Sequence, residues 1–70
     1  MISIVTMKGK VQLQKVTPGK HGFNMKVERL TGWRPVKDLD MKKLEEYVRQ
    51  ANLGLKTCFA KAYHMVEGKP

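Results

Sequence analysis

The spacing of apolar residues changes once along this chain, and that change limits the fold more than any other feature. Up to residue 31 the apolar positions recur every second residue; after residue 37 they recur every three or four. Ile2 and Ile4 alternate with Ser3 and Val5, and Val11 and Leu13 alternate with Gln12 and Gln14. Phe23, Met25 and Val27 alternate with Asn24, Lys26 and Glu28. Period two is the mark of a half-buried strand. Lys8-Gly9 and Thr17-Pro18-Gly19 separate the three runs. Both are turn signals, because glycine accepts positive φ and proline presets a turn corner. Residues 1–31 therefore read as a three-stranded antiparallel meander.

Gly32-Trp33-Arg34-Pro35 breaks the strand pattern, and residues 32–37 read as a link. Met41, Leu44, Tyr47, Val48 and Ala51 then fall within an arc of about 120° at ~100° per residue, the stripe of an amphipathic helix. Asp40 is the expected N-cap, with Leu39 and Leu44 as a hydrophobic staple. Gly54 suits the left-handed position just past the helix end. A second helix is expected from Thr57, taken as its N-cap. Cys58, Phe59, Ala62, Met65 and Val66 would be buried, with Tyr63 at the edge of that side. Residues 68–70 read as a tail. The predicted fold is α+β, in the order β-β-β-α-α. It is a single small domain over residues 1–70, with a helical hairpin (38–67) packed on one face of the sheet.

Charge is distributed unevenly over this plan. Residues 1–37 carry eight basic side chains and one acid, a net +7. Residues 38–70 carry six bases and five acids, a net +1. A field of this kind attracts polyanions. Lys8, Lys10, Lys15, Lys20, His21, Arg29, Arg34 and Lys37 lie in or beside the predicted turns and are expected to meet phosphates. If Val11, Leu13, Phe23, Met25 and Val27 point inward, Gln12, Gln14, Asn24 and Lys26 share the outer face. Amides pair with adenine edges and lysine with guanine, so these four are the candidate base contacts. The plain alternative is an ordinary solvated sheet face.

Trp33 closes a small core or, if exposed, stacks on a base or anchors a protein. The helix pair from Leu44 to Tyr63 loosely resembles a helix-turn-helix in its short turn and central glycine, Gly54. Gln50 stands where that motif has a small residue, and the second helix offers few cations. The helices read as scaffold, with a homodimer surface compatible with that role.

Nothing in the sequence points to catalysis. Neither His21 nor His64 has a sequence neighbour that would make it a base with a nucleophile or a carboxylate orienter, and Cys58 falls on the apolar arc, where a thiol behaves as a small hydrophobe. One cysteine and two distant histidines do not make a zinc site. No enzyme activity, cofactor or metal is expected. A single cysteine also points to a reducing compartment, no signal-peptide pattern opens the chain, and no run approaches the ~20 apolar residues that span a bilayer. Cytoplasmic location is the default expectation. The sequence thus predicts a small basic nucleic-acid-binding protein, DNA favoured over RNA, with a regulatory role. The alternative is a protein-interaction module, for example a viral or mobile-element factor docking through Trp33 or Tyr63 on an acidic host surface.

Overall fold

A computed structural model describes residues 1–19 and 24–68. Its strands are β1 (Ile2–Met7), β2 (Lys10–Thr17), β3 (Lys26–Arg29) and β4 (Arg34–Pro35). A 3-10 turn (Val36–Asp38) and two helices follow, α1 (Met41–Asn52) and α2 (Lys56–Glu67). The class is α+β, an antiparallel sheet followed by two helices, as the change of apolar period predicts.

Lys8 and Gly9 join β1 to β2 with positive φ at both positions, 52° and 75°. Two such residues make a type I′ turn, whose twist matches that of the flanking strands. β2 is the central strand. β1 lies on one side of it, pairing Met7 with Lys10 through Ile2 with Lys15. β3 and β4 share the other side, end to end. β4 is an addition to the expected meander and falls inside the predicted link.

The junction between β3 and β4 is a bulge of two residues. Gln14 pairs with Arg29, whereas Val11 pairs with Arg34. The register therefore shifts by two between them, and Thr31, Gly32 and Trp33 all lie opposite Gln12. Side chains repair the interrupted ladder. Leu13 N–H donates to Thr31 Oγ1 at 3.0 Å, and Gln12 Nε2 donates to the Thr31 carbonyl at 2.8 Å. Leu30 N–H still reaches the Leu13 carbonyl at 2.9 Å. Such repair is required because an unpaired backbone group here would be buried.

The core joins β2 to both helices: Val11, Leu13, Leu44, Val48, Ala62 and Val66 are all buried. Ile2, Ile4, Leu30, Val36 and Leu39 pack around them. Antiparallel partners share a face, so the register divides the sheet. Ile4, Val11, Leu13 and Lys15 face the helices; Val5, Lys10, Gln12 and Gln14 face away.

α1 starts as predicted, Asp40 Oδ1 accepting from Lys43 N–H at 3.2 Å. It ends in a Schellman arrangement: Gly54 N–H donates to Ala51 and Leu55 N–H to Gln50, with Gly54 at φ 105°. That turn is so tight that Leu55 already caps α2. Thr57, the expected cap, therefore lies inside the helix.

The third strand differs from expectation. Val27 is 54% exposed, and Met25, just before β3, is 62% exposed. Val27 pairs with Val16 and Glu28 with Lys15, so the even-numbered residues turn toward the helices. Leu30 decides this: bonded to Leu13, it continues the even series into the core. A strand has only two faces, and burying Leu30 turns Val27 outward. Phe23 lies outside the described residues.

Candidate functional site

The face of the sheet away from the helices is the candidate surface, and the hairpin register arranges it in rows. Met7, Lys10 and Pro35 form one row across the strands. Ser3, Gln14 and Arg29 form another, and Val16 with Val27 ends the sheet. Lys10 and Arg29 are exposed there. Lys8 stands at the hairpin tip beside Lys10. Lys37, also exposed, lies next to that tip, because Val36 N–H donates to the Gly9 carbonyl at 2.9 Å. Trp33 sits in the bulge between these cations and Arg29. It is 38% exposed and stands outside the buried core, so it does not close the core as one reading of the sequence expects.

The other predicted phosphate contacts go elsewhere. Lys15 is exposed but lies on the helix-facing side with Ile2 and Glu28. Lys26 pairs with Thr17 on that same side. Both follow from strand parity, because Lys15 continues the series of Val11 and Leu13. Arg34 pairs with Val11 and is half-buried, its guanidinium so close to Gly68 that a β-carbon there would overlap it. Among the described residues no acceptor pairs with its buried Nε. Lys20 and His21 lie outside the described residues. The cations are thus divided between the two faces of the sheet, not gathered on one.

The predicted base contacts are also redistributed. Gln12 belongs to the open face, yet only 3% of it is accessible. The Thr31–Trp33 bulge opposite explains this, since Gln12 is consumed in repairing the ladder. Gln14 is half-buried and donates to Gln12 Oε1 at 2.9 Å. Asn24 is exposed at φ 60° before β3, a conformation asparagine tolerates. Of the four amide and lysine candidates, none stands free on the open face beside Lys10.

Glu67 and Glu46 account for two of the acids. Gly32 N–H donates to Glu67 Oε1 at 2.9 Å, tying the bulge to the end of α2. Arg49 and Glu46 form the one ion pair among the described residues, at 2.6 Å. Its hydrogen bonds hold the Glu46 carboxyl below the usual range, Arg49 contributing most and Gln50 next.

Sequence reasoning missed a groove between the helices. It has a volume of about 500 Å³ and is lined by Lys43, Tyr47, Ala60, Lys61, His64 and Met65. The Lys61 ammonium lies 5.6 Å from the centre of the Tyr47 ring. The signal was present: Lys43 and Tyr47 are four apart on α1, and Lys61 and His64 three apart on α2, so each pair shares a helix face.

Among the described residues no three His, Cys, Asp or Glu side chains come together as metal ligands, and no helix is long and apolar enough to cross a membrane. No family model matches this chain, and no curated protein or solved structure matches it either.

Proposed function

We propose that this protein binds nucleic acid and performs no chemistry, holding phosphates with Lys8, Lys10, Lys37 and Arg29 and a base plane with Trp33. The observation that carries the proposal is the position of Trp33, 38% exposed in a bulge flanked by cations of the open face. Aromatic rings beside a basic surface suit unpaired bases, which offer a flat face to any ring regardless of sequence. The formal charge of +8 supports the same reading, as does the single ion pair among the described residues. Among the described residues, Arg49 is the one Lys or Arg side chain in an ion pair.

The burial of Gln12 narrows the proposal. A side chain spent on Thr31 cannot read adenine, and Lys26 belongs to the opposite side of the sheet. Phosphate contact and stacking remain, which favours single strands over sequence-specific reading of a duplex. A regulatory role would then act through strand occupancy instead of a defined duplex site.

Titration of the lone tryptophan fluorescence with single-stranded and duplex oligonucleotides at several salt concentrations tests this. Four phosphate contacts at about −0.7 each give a log–log salt slope near −3 for single strands. Trp33 emission should quench in step with binding. Affinity that ignores salt, or binding that leaves the emission unchanged, would refute the proposal.

A second reading has its own observation. Met7 and Val27 are each 54% exposed on the open face, and apolar side chains among cations suit an acidic protein surface. There Trp33→Ala would cost ~2 kcal/mol or more while most lysines would matter little.

A further inference from the structure

We propose that the groove between α1 and α2 is a second binding site, independent of the open sheet face, for a phosphate ester attached to a flat apolar group. Three features point to this ligand class.

The first is charge of a single sign. Lys43 approaches from α1 and Lys61 from α2, and no acid lines the groove. Two lysines lining one groove from different helices suit a dianion better than a single carboxylate, because each ammonium can donate to a separate oxygen.

The second is preorganisation. A lysine side chain normally loses much rotational freedom when it binds. Here Lys61 already lies across the groove, its ammonium 5.6 Å from the Tyr47 ring centre. Cation–π attraction operates at that range. The ring takes one side of the ammonium and leaves N–H donors for an anion, so part of the ordering cost of binding is met in the free protein.

The third is apolar lining. Ala60, Met65 and the Tyr47 ring line the groove together with the two lysines. Inorganic phosphate would leave that surface bare. A nucleotide, with phosphate and ring on one small molecule, would use both. The groove is shallow and open, so one such unit would lie along it with its other side in solvent. The same chemistry is offered by a free mononucleotide and by one nucleotide unit of a strand.

The test follows backbone amides by NMR on the full chain, titrating adenosine, inorganic phosphate, adenosine monophosphate and a short oligothymidylate in turn. The monophosphate should produce saturating shifts centred on Lys43, Tyr47, Lys61 and Met65. It should bind about tenfold more tightly than phosphate, and adenosine should produce little. Saturation by the oligothymidylate alone would identify the phosphate ester as part of a strand. The double variant Lys43→Gln with Lys61→Gln should abolish the shifts while keeping spectral dispersion. The pair Lys10→Gln with Arg29→Gln should leave them intact, which separates this site from the sheet face. Shifts that fail to saturate with every probe would overturn the proposal. So would shifts spread evenly over all lysines, or shifts that survive in the Lys43/Lys61 variant.

Discussion

Asn52, the last residue of α1, hydrogen-bonds through both ends of its carboxamide to Ile2. Ile2 N–H donates to Asn52 Oδ1 at 2.8 Å, and Asn52 Nδ2 donates to the Ile2 carbonyl at 3.0 Å. A carboxamide has the shape and polarity of a peptide group, so Asn52 occupies the place of a neighbouring strand. Met1 exchanges both of its backbone bonds with Val16. In an antiparallel ladder the bonded side alternates, so Ile2 points its own groups off the free edge of β1. An open edge of this kind is a template for unwanted pairing. The helix supplies the cover.

Asn52→Leu should therefore destabilise the fold by about 1–2 kcal/mol, the usual worth of two partly exposed hydrogen bonds. Urea unfolding would read the change as a lower midpoint with unaltered slope. Concentration-dependent association should increase in the same variant. A midpoint equal to that of the parent would mean that water satisfies Ile2 equally well.

Thr31 is the corresponding device inside the sheet. Its hydroxyl accepts from Leu13 N–H, and its carbonyl accepts from Gln12. Thr31→Val keeps the shape but leaves the buried Leu13 N–H without its acceptor, at a cost of about 1–3 kcal/mol. Thr31→Ser retains the hydroxyl and should lose much less. Equal losses for the two variants would assign the effect to packing.

These two residues mark the limit of what the sequence made legible, since both act on partners distant in the chain. Both helices can be read directly, because Asp40, the Leu39–Leu44 pair and Gly54 are local signals within a few residues of the structure they produce. The Lys8-Gly9 hairpin is local in the same way. The third strand is not. Its alternation of Met25 and Val27 looks buried, but its face is decided by Leu30, which bonds to Leu13 across the sheet. Lys8, Lys10 and Arg29 keep the exposed positions expected of them. Gln12 does not, because its partner Thr31 lies 19 residues away and no periodicity announces a bulge. The interhelical groove escaped for a related reason: each helix carries only half of it.

Lys8 holds φ at 52°, a conformation that costs most L-residues about 1–2 kcal/mol. Asparagine adopts it readily, and Asn-Gly is the preferred pair for a type I′ turn. Lys8→Asn should raise stability by roughly 0.5 kcal/mol. If Lys8 meets a phosphate, the same change should flatten the salt slope by about 0.7. Higher thermal stability combined with weaker strand binding is the expected pair of results. Lower stability would show that the lysine contributes something beyond the turn.

Glu46 gives a prediction with a definite sign. Its carboxyl titrates below the ordinary value because Arg49, and then Gln50, hydrogen-bond the charged form. A depressed carboxyl stabilises the folded state above its unfolded value of about 4.3, and that contribution disappears as pH falls through the lower folded value. The pair is exposed on the surface of the helix, so the effect is small and shrinks with added salt. Glu46→Gln should lower the urea midpoint slightly at pH 7 and not at all in strong acid. A larger deficit in acid than at pH 7 would contradict the assignment.

The division of cations between the two sheet faces allows charge to be separated from position. Lys10→Gln with Arg29→Gln and Lys15→Gln with Lys26→Gln each remove two positive charges. All four side chains are exposed, so neither pair should disturb the core. If overall charge alone attracts the strand, the two double variants should weaken binding equally. If the open face holds it, the first pair removes two phosphate contacts and should flatten the salt slope by about 1.4. The second pair should leave the slope nearly unchanged and lower affinity only through the weaker long-range field, an effect that vanishes at high salt. Trp33 quenching should follow the same division, reduced in the first pair and retained in the second. Equal responses from both pairs would remove the open face as the site while leaving the groove between the helices untouched.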